Sequence, residues 1–141
     1  MTDRAFYRVI DANFNRVREG LRVCEEFVRF YSNARGLTGD IKSIRNRVGT
    51  IYSRHFKGTP ALISSRDVSK DVGRIGFAFE KKRGKPFDLF SINLQRSKEA
   101  MRVLEEFSKL LDERLSDEFR ALRFEIYDIE KKALKKLQAI L

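Results

Sequence analysis

Residues 13–27 read NFNRVREGLRVCEEF and residues 93–107 read NLQRSKEAMRVLEEF, so one segment occurs twice at an offset of 80. Eight of the fifteen aligned positions are identical, among them an Asn, an Arg and a Glu spaced three residues apart. A fainter match, at an offset of 78, relates residues 37–52 to residues 115–130. A repeat of this length predicts that the fold contains one structural unit twice.

Each copy predicts two helices joined by a short turn. In the first copy, two sets of apolar positions have helical spacing. The first set is 10, 14, 17, 21, 24 and 28, and the second is 41, 44, 48 and 51. Thr38 with Asp40, and Ser116 with Asp117 and Glu118, predict where the second helices begin, and the last helix is expected to run to near Ala139. A hairpin cannot bury its apolar stripe alone, so two of them predict an all-α fold, a four-helix bundle.

The length of 141 residues predicts a single domain, 1–141. We divide it into hairpin one (4–52), a connecting loop (53–88) and hairpin two (89–141). A connection of this length is typical of either a functional or a disordered segment. The apolar stretches 61–63 and 75–79 could pair as a short ribbon and anchor it, which favours an ordered functional loop.

Composition narrows the class of partner. The chain has 30 Lys and Arg against 20 Asp and Glu, a net charge of +10, which favours anionic partners such as nucleic acid, phosphorylated metabolites or acidic lipid. The single cysteine and single histidine exclude an internal disulfide and a structural zinc site. There is no long apolar run, so we expect a soluble protein without a membrane partner, and the single cysteine fits a cytoplasmic setting. The absence of a P-loop motif excludes nucleotide binding by a P-loop.

The repeated polar residues lie on a helix side that is otherwise apolar. On a helical wheel, Asn13 and Arg16 fall beside Val9 and Val23, where an unpaired guanidinium is costly. Two interpretations remain open. The first is an internal ion-pair network that docks the hairpins, in which Arg16 pairs with Glu19 and the copies Arg96 and Glu99 do the same.

The second interpretation is a polar cleft that binds an anion, and an excess of arginines favours it. These arginines are expected to outnumber the carboxylates that face inward, and the guanidinium fork matches phosphate oxygens. They are Arg16, Arg22, Arg45, Arg96, Arg102 and Arg123. Glu25 and Glu105 point away on the same wheel and are predicted to be solvated surface residues.

The connecting loop offers groups that complement such a cleft. Arg66 and Lys70 could hold phosphate, while Asp67 and Asp71 are hard oxygen ligands suited to a magnesium ion that bridges phosphates. Outside these motifs, Cys24 is predicted to lie in the core and His55 on the surface.

Three motifs together resemble a known family. Residues 8–23 (RVIDANFNRVREGLRV), 66–73 (RDVSKDVG) and 93–106 (NLQRSKEAMRVLEE) are similar to the small hydroxymethylpyrimidine-phosphate kinase family. That family often occurs fused in front of thiamine-phosphate synthase and is unrelated to the ribokinase-like enzyme that usually does this job. The chain departs from the pattern at Asn46, where the family has His, and at Arg74, where it has Thr. Without a synthase domain, this would be a stand-alone form.

The resemblance implies ATP-dependent phosphorylation of 4-amino-5-hydroxymethyl-2-methylpyrimidine phosphate to the diphosphate, in thiamine biosynthesis. ATP and Mg²⁺ are the implied co-substrate and cofactor. The catalytic residues are then predicted to be Arg16, Arg96, Arg66 and Asp67. Substrate and phosphate binding is assigned to Asn13, Glu19, Arg22, Arg45, Lys70, Asn93, Glu99, Arg102 and Arg123, and metal binding to Asp67 and Asp71.

Two rival interpretations come from other functional classes. A basic helical module that binds nucleic acid or a protein would spread its cations over an outer face, whereas here many arginines share inward stripes with Asn and Glu. Another ATP-using bundle transferase, such as an adenosyl transferase, is compatible with the same scaffold. We expect a small-molecule substrate and no nucleic acid. The sequence leaves open whether a homo-oligomer completes the site.

Overall fold

The computed structural model describes residues 4–76 and 84–137. Four long helices dominate this part of the chain: α1 (Arg4–Glu26), α2 (Arg35–His55), α4 (Pro86–Ser108) and α5 (Glu113–Leu137). A π-helical turn, Phe27–Tyr31, extends α1, and the connection holds the short helix α3 (Ala61–Ser64) and a 3₁₀ turn, Val68–Lys70. The described residues contain no strand, so the all-helical prediction is confirmed for them.

Helices α1 and α4 cross in opposite directions at equivalent positions of the two copies. The Ser97 hydroxyl donates to the Val17 carbonyl at 3.3 Å, and Ser97 and Val17 are repeat mates. Seven residues later in α1 and seven residues earlier in α4, the Cys24 thiol donates to the Phe90 carbonyl at 3.4 Å. Contact between repeat mates indicates an approximate two-fold axis through this crossing.

The same axis relates α2 to α5. Arg47 pairs with its own repeat mate, Glu125, with Nη1 of Arg47 2.7 Å from Oε2 of Glu125. On either side lie two ion pairs that are copies of each other at the offset of 78, Arg54–Glu118 and Lys132–Asp40. The remaining long-helix contacts are α1 with α2 and α4 with α5, one within each copy.

The apolar stripes meet in one core, as their spacing predicts. Every apolar position named for the first copy is buried, from Ile10 to Val28 in α1 and the π turn and from Ile41 to Ile51 in α2. Phe14 lies at the centre, where its ring contacts those of Tyr52, Phe56 and Phe119 at centroid distances of 5.4 to 5.7 Å. Phe119 belongs to α5, so this cluster joins the two copies.

The predicted starts of the second helices are wrong by about one turn. Helix α2 begins at Arg35 and α5 at Glu113, so Thr38 and Ser116 lie inside helices. Their hydroxyls donate to carbonyls, Thr38 to Ala34 and Ser116 to Glu105, instead of accepting from free N–H groups as a cap would. A hydroxyl followed by carboxylates does not distinguish these two roles.

The connection is shorter and more helical than predicted. Helix α2 continues to His55 and α4 begins at Pro86, which occupies a first-turn position where proline suits a helix. The predicted ribbon is wrong in its first half, because 61–63 are helical, with Leu62 fully buried. Residues 77–79 of its second half, and Ala139, lie outside the described residues. In the described ranges, no helix combines the length and apolar character needed to cross a bilayer.

Candidate functional site

Two neighbouring cavities open beside the crossing of α1 and α4, and they share a wall. The first, which we call the loop cavity, has a volume of about 590 Å³ and lies between α1 and the loop after α3. The second, the axial cavity, has a volume of about 670 Å³ and lies between α1 and α4 on the approximate two-fold axis. Asn13 and Arg16 line both, so they form the shared wall.

The axial cavity brings together the repeated polar residues of both copies. It is lined by Asn13, Arg16, Glu19, Gly20, Gly73, Asn93, Arg96, Glu99, Ala100 and Val103. The two helices come this close because Gly20 has no side chain: a Cβ there would lie 2.2 Å from the Ser97 hydroxyl oxygen and 2.8 Å from the Asn93 carbonyl oxygen. The sequence repeat therefore becomes a spatial pairing of each Asn, Arg and Glu with its copy across one cavity.

Two glutamates line the same cavity as the two arginines, but the arginines are not held in ion pairs within the described part of the chain. Among the described residues, neither Arg16 with Glu19 nor Arg96 with Glu99 forms an ion pair, which argues against the docking network. Within the described ranges, the Arg16 guanidinium makes one hydrogen bond, to the side-chain oxygen of Asn13 at 3.4 Å. Both guanidiniums are exposed and available to an anion.

The two asparagines are held in the same way in both copies. The side-chain amide of Asn13 donates to the Val9 carbonyl and that of Asn93 to the Leu89 carbonyl, each at 2.8 Å. Both bonds reach back one helical turn and fix the asparagine rotamer. In the first copy, the fixed Asn13 oxygen then orients Arg16 one turn later.

The loop cavity is fastened by an ion pair that the sequence analysis did not assign. Arg66 binds Asp11 of α1 with both ends of its guanidinium, at 2.5 Å (Nε to Oδ2) and 2.8 Å (Nη2 to Oδ1). Asp11 is buried, and the hydrogen bond to it raises the pKa of Arg66 above its ordinary value. The second copy has Ser91 at this position, so the attachment exists on one side of the two-fold axis only.

The two carboxylates of the loop accept hydrogen bonds from within the loop itself. Asp67 and Asp71 both line the loop cavity. Asp67 Oδ1 accepts from the Ser69 hydroxyl at 3.0 Å and the Lys70 amide at 3.2 Å, and Asp71 Oδ1 accepts from the Gly73 amide at 2.9 Å. Lys70 is exposed and lines neither cavity.

The residues described in 4–76 and 84–137 contain no cluster of three or more His, Cys, Asp or Glu side chains arranged to hold a metal ion. Magnesium bound to phosphates needs only one or two protein carboxylates, so Asp67 and Asp71 fit that role and would not suffice for a protein-only cage.

Four of the predicted arginines lie elsewhere, and the predicted excess of cations in one cleft is wrong. Arg45 binds Glu25 and Arg123 binds Glu105, each with Nε 2.8 Å from Oε1. Arg22 and Arg102 lie at the exposed edges of these clusters, near Glu25 and Glu105 respectively. The axial cavity itself is lined by two arginines and two glutamates.

Glu25 and Glu105 are buried, so their assignment to the solvated surface is also wrong. A wheel drawn for α1 alone cannot show that a neighbouring helix supplies the arginine that pairs with the carboxylate. The glutamate and the arginine of this pair are both repeated in the second copy, and this joint repetition was the sequence signal for their pairing.

The two remaining assignments are confirmed. Cys24 is fully buried, and burial raises the pKa of its thiol to about 12. His55 is exposed at the end of α2, with its ring nitrogen 3.8 Å from Glu118. Neither residue lines the two cavities.

Comparison with known proteins places this architecture in a family. The ThiD2 family matches residues 8–132. Relatives named thiamine-phosphate synthase include those of a Nostoc species, 35% identical over 88% of the chain, and of Thermosynechococcus vestitus, 36% identical over 94%. The chain covers 34% and 36% of these relatives, so it spans about a third of their length. No solved structure matches the chain.

Proposed function

The chain belongs to the ThiD2 family, and from this premise we propose that it is a kinase of thiamine biosynthesis. In this proposal it transfers the γ-phosphoryl group of ATP to 4-amino-5-hydroxymethyl-2-methylpyrimidine phosphate, which yields the diphosphate and ADP. The relatives' name, thiamine-phosphate synthase, agrees with that pathway. Because the chain matches only a third of their length, their whole activity is not carried over to it.

One observation supports the proposal above all others: two cavities share a wall that contains Arg16, which has no ion-pair partner among the described residues. Arg16 borders both cavities, and Arg96 enters one of them from the opposite copy. Phosphoryl transfer between two phosphates requires two anions held side by side despite their repulsion. Arginines without carboxylate partners supply the charge that offsets that repulsion.

The proposed chemistry does not require a general base. The acceptor phosphate has a second pKa of about 6, so it is largely ionised at neutral pH and its oxygen can attack the γ-phosphorus directly. A new P–O bond forms to the acceptor while the bond from the γ-phosphorus to the β,γ-bridging oxygen breaks, and ADP leaves with the electron pair. The remaining task is alignment and stabilisation of charge on the transferred group, which suits Arg16.

Asp67 and Asp71 are the residues that would hold Mg²⁺, which, when bound, neutralises charge on the phosphates. Arg66 lies beside them but is occupied by Asp11. We therefore assign Arg66 to positioning the loop rather than to direct contact with phosphate in this state.

A direct assay tests the function. Purified protein with ATP, Mg²⁺ and hydroxymethylpyrimidine phosphate should form ADP and the pyrimidine diphosphate in equal amounts, and ATP alone should give much less ADP. Arg16→Ala should lower turnover by about 100-fold or more, because it removes a charge that acts on the transition state. Well-folded wild-type protein that gives no diphosphate would contradict the kinase proposal.

A further inference from the structure

We propose that the two cavities divide the reactants, with the ATP phosphates in the loop cavity and the pyrimidine phosphate in the axial cavity. Arg16, on the shared wall, then contacts both, whereas its repeat mate Arg96 contacts the acceptor alone. This division rests on the proposed function. It assigns different roles to two residues that the sequence repeat presents as equivalent.

The walls of the loop cavity suit a multiply charged ligand that carries a metal ion. One wall is helix α1, and the other is a loop that carries Asp67 and Asp71. The loop is tied to α1 through the Arg66–Asp11 pair, and its neighbour Asp67 lines the cavity beside that attachment. Arg8 adds an exposed cation that makes no ion pair within the described chain.

The walls of the axial cavity suit a ligand that presents one phosphate and one hydrogen-bond donor. These walls are mainly helices α1 and α4, which approach each other closely at Gly20 and Ser97. The Glu19 carboxylate makes no hydrogen bond or ion pair with any described residue, whereas Glu99 already accepts from the Gln95 amide at 2.8 Å. A free carboxylate beside an arginine can accept from the amino group of a pyrimidine whose phosphate the arginine holds.

Three arginines can therefore be used to test the loop cavity, the axial cavity and the wall between them separately. Arg8 lines only the loop cavity, Arg96 only the axial cavity, and Arg16 both. All three are exposed and none forms an ion pair with a described residue, so the same substitution removes one charge from each with little effect on folding. The asymmetry comes from the loop, since the helices alone would make Arg16 and Arg96 interchangeable.

The experiment compares Arg8→Gln, Arg16→Gln and Arg96→Gln with the control Arg35→Gln, an exposed position at the start of α2 that lines neither cavity. We expect Arg8→Gln to raise the KM for ATP by about tenfold and Arg96→Gln to raise the KM for the pyrimidine phosphate by a similar factor, each leaving the other KM unchanged. Arg16→Gln should lower kcat by about 100-fold. Arg35→Gln should behave as wild type.

Two results would overturn the division while leaving the kinase proposal intact. One is an exchange of the KM effects between Arg8→Gln and Arg96→Gln. The other is a matching kinetic profile for Arg16→Gln and Arg96→Gln, which would make the two copies equivalent.

If the wild type shows no turnover, the kinase proposal fails, and calorimetric titration of ADP with Mg²⁺ and of the pyrimidine phosphate against the same variants still tests the division. Selective loss of ADP binding in Arg8→Gln and of pyrimidine phosphate binding in Arg96→Gln would support it. Absence of binding by the wild type would refute both proposals.

Discussion

At the scale of single residues, the two Glu–Arg pairs are copies of each other that differ in their exposure to water. In the second copy the Glu105 side chain is 5% exposed and that of Arg123 10% exposed, and the hydrogen bond to Glu105 raises the pKa of Arg123 above its ordinary value. In the first copy the Glu25 side chain is 1% exposed, but that of Arg45 is 22% exposed. The two pairs join equivalent residues of the two copies, but the second pair is more completely removed from water.

Removing the glutamate charge should therefore lower the free energy of unfolding more in the second copy than in the first. We expect Glu105→Gln to lower the free energy of unfolding by about 2 kcal/mol, because it leaves Arg123 buried without its counter-charge. Glu25→Gln should cost less, because water reaches Arg45 and partly replaces the lost carboxylate. Urea denaturation of both variants measures the difference, and a larger loss in Glu25→Gln would contradict the explanation.

Cys24 predicts a pH dependence of stability. Burial raises its pKa to about 12, against about 8.5 in an unfolded chain, so the folded state keeps the proton over a range in which the unfolded state loses it. The contribution is complete below pH about 8.5 and is lost as pH rises, by about 2 kcal/mol between pH 8 and pH 10.

Cys24→Ala removes this term, so the stability difference between wild type and variant should shrink by that amount over the same interval. A difference that stays constant with pH would show that the thiol ionises alike in both states.

At the scale of elements, the crossing of α1 and α4 depends on one glycine. We expect Gly20→Ala to destabilise the fold by about 1 to 3 kcal/mol, because the added methyl group meets the Asn93 backbone as well as the Ser97 side chain. Gly49→Ala is the matched control: a Cβ there meets nothing within 4 Å, so the same change in α2 should stabilise by about 0.5 to 1 kcal/mol. Thermal denaturation should give opposite signs, and equal signs would refute the close-approach argument.

The loop is the second element with a testable attachment. Asp11→Asn removes the charge that holds Arg66 and should increase amide hydrogen exchange in residues 66–73 several-fold, since fewer contacts oppose local opening. The amides of α4 and α5 serve as the internal reference and should not change. Unchanged exchange in the loop would mean that α3 and Leu62 hold it without the ion pair.

How far the sequence predicts each element depends on whether the determining contact is local. Helical spacing identified the core faces of α1 and α2 because a stripe that repeats every three or four residues is a property of one segment. The start of α2, the partner of Glu25 and the role of Asp11 depend on residues in other elements. Asp11 also lacks a copy, so the repeat that revealed Asn13 and Arg16 gave no signal for it.

At the scale of the whole molecule, the chain is an approximate two-fold structure with one asymmetric addition. The axis passes through the α1–α4 crossing and through the contact of Arg47 with Glu125. The axial cavity lies on it and draws equivalent residues from both copies. The loop breaks the symmetry by binding Asp11 of the first copy only, so Arg16 borders the loop cavity whereas its repeat mate Arg96 does not.

The symmetry itself can be tested by exchanging charges across the axis. Arg47 and Glu125 are repeat mates that face each other, so each position should accept the other's residue. Arg47→Glu alone places two carboxylates together and should lower the free energy of unfolding by about 1 kcal/mol, in the range of exposed ion pairs. Adding Glu125→Arg should restore most of that loss, because the axis gives the exchanged pair the same surroundings as the original. Urea denaturation at low salt measures all three proteins, and a double variant no more stable than Arg47→Glu would show that the two copies do not present equivalent environments at this contact.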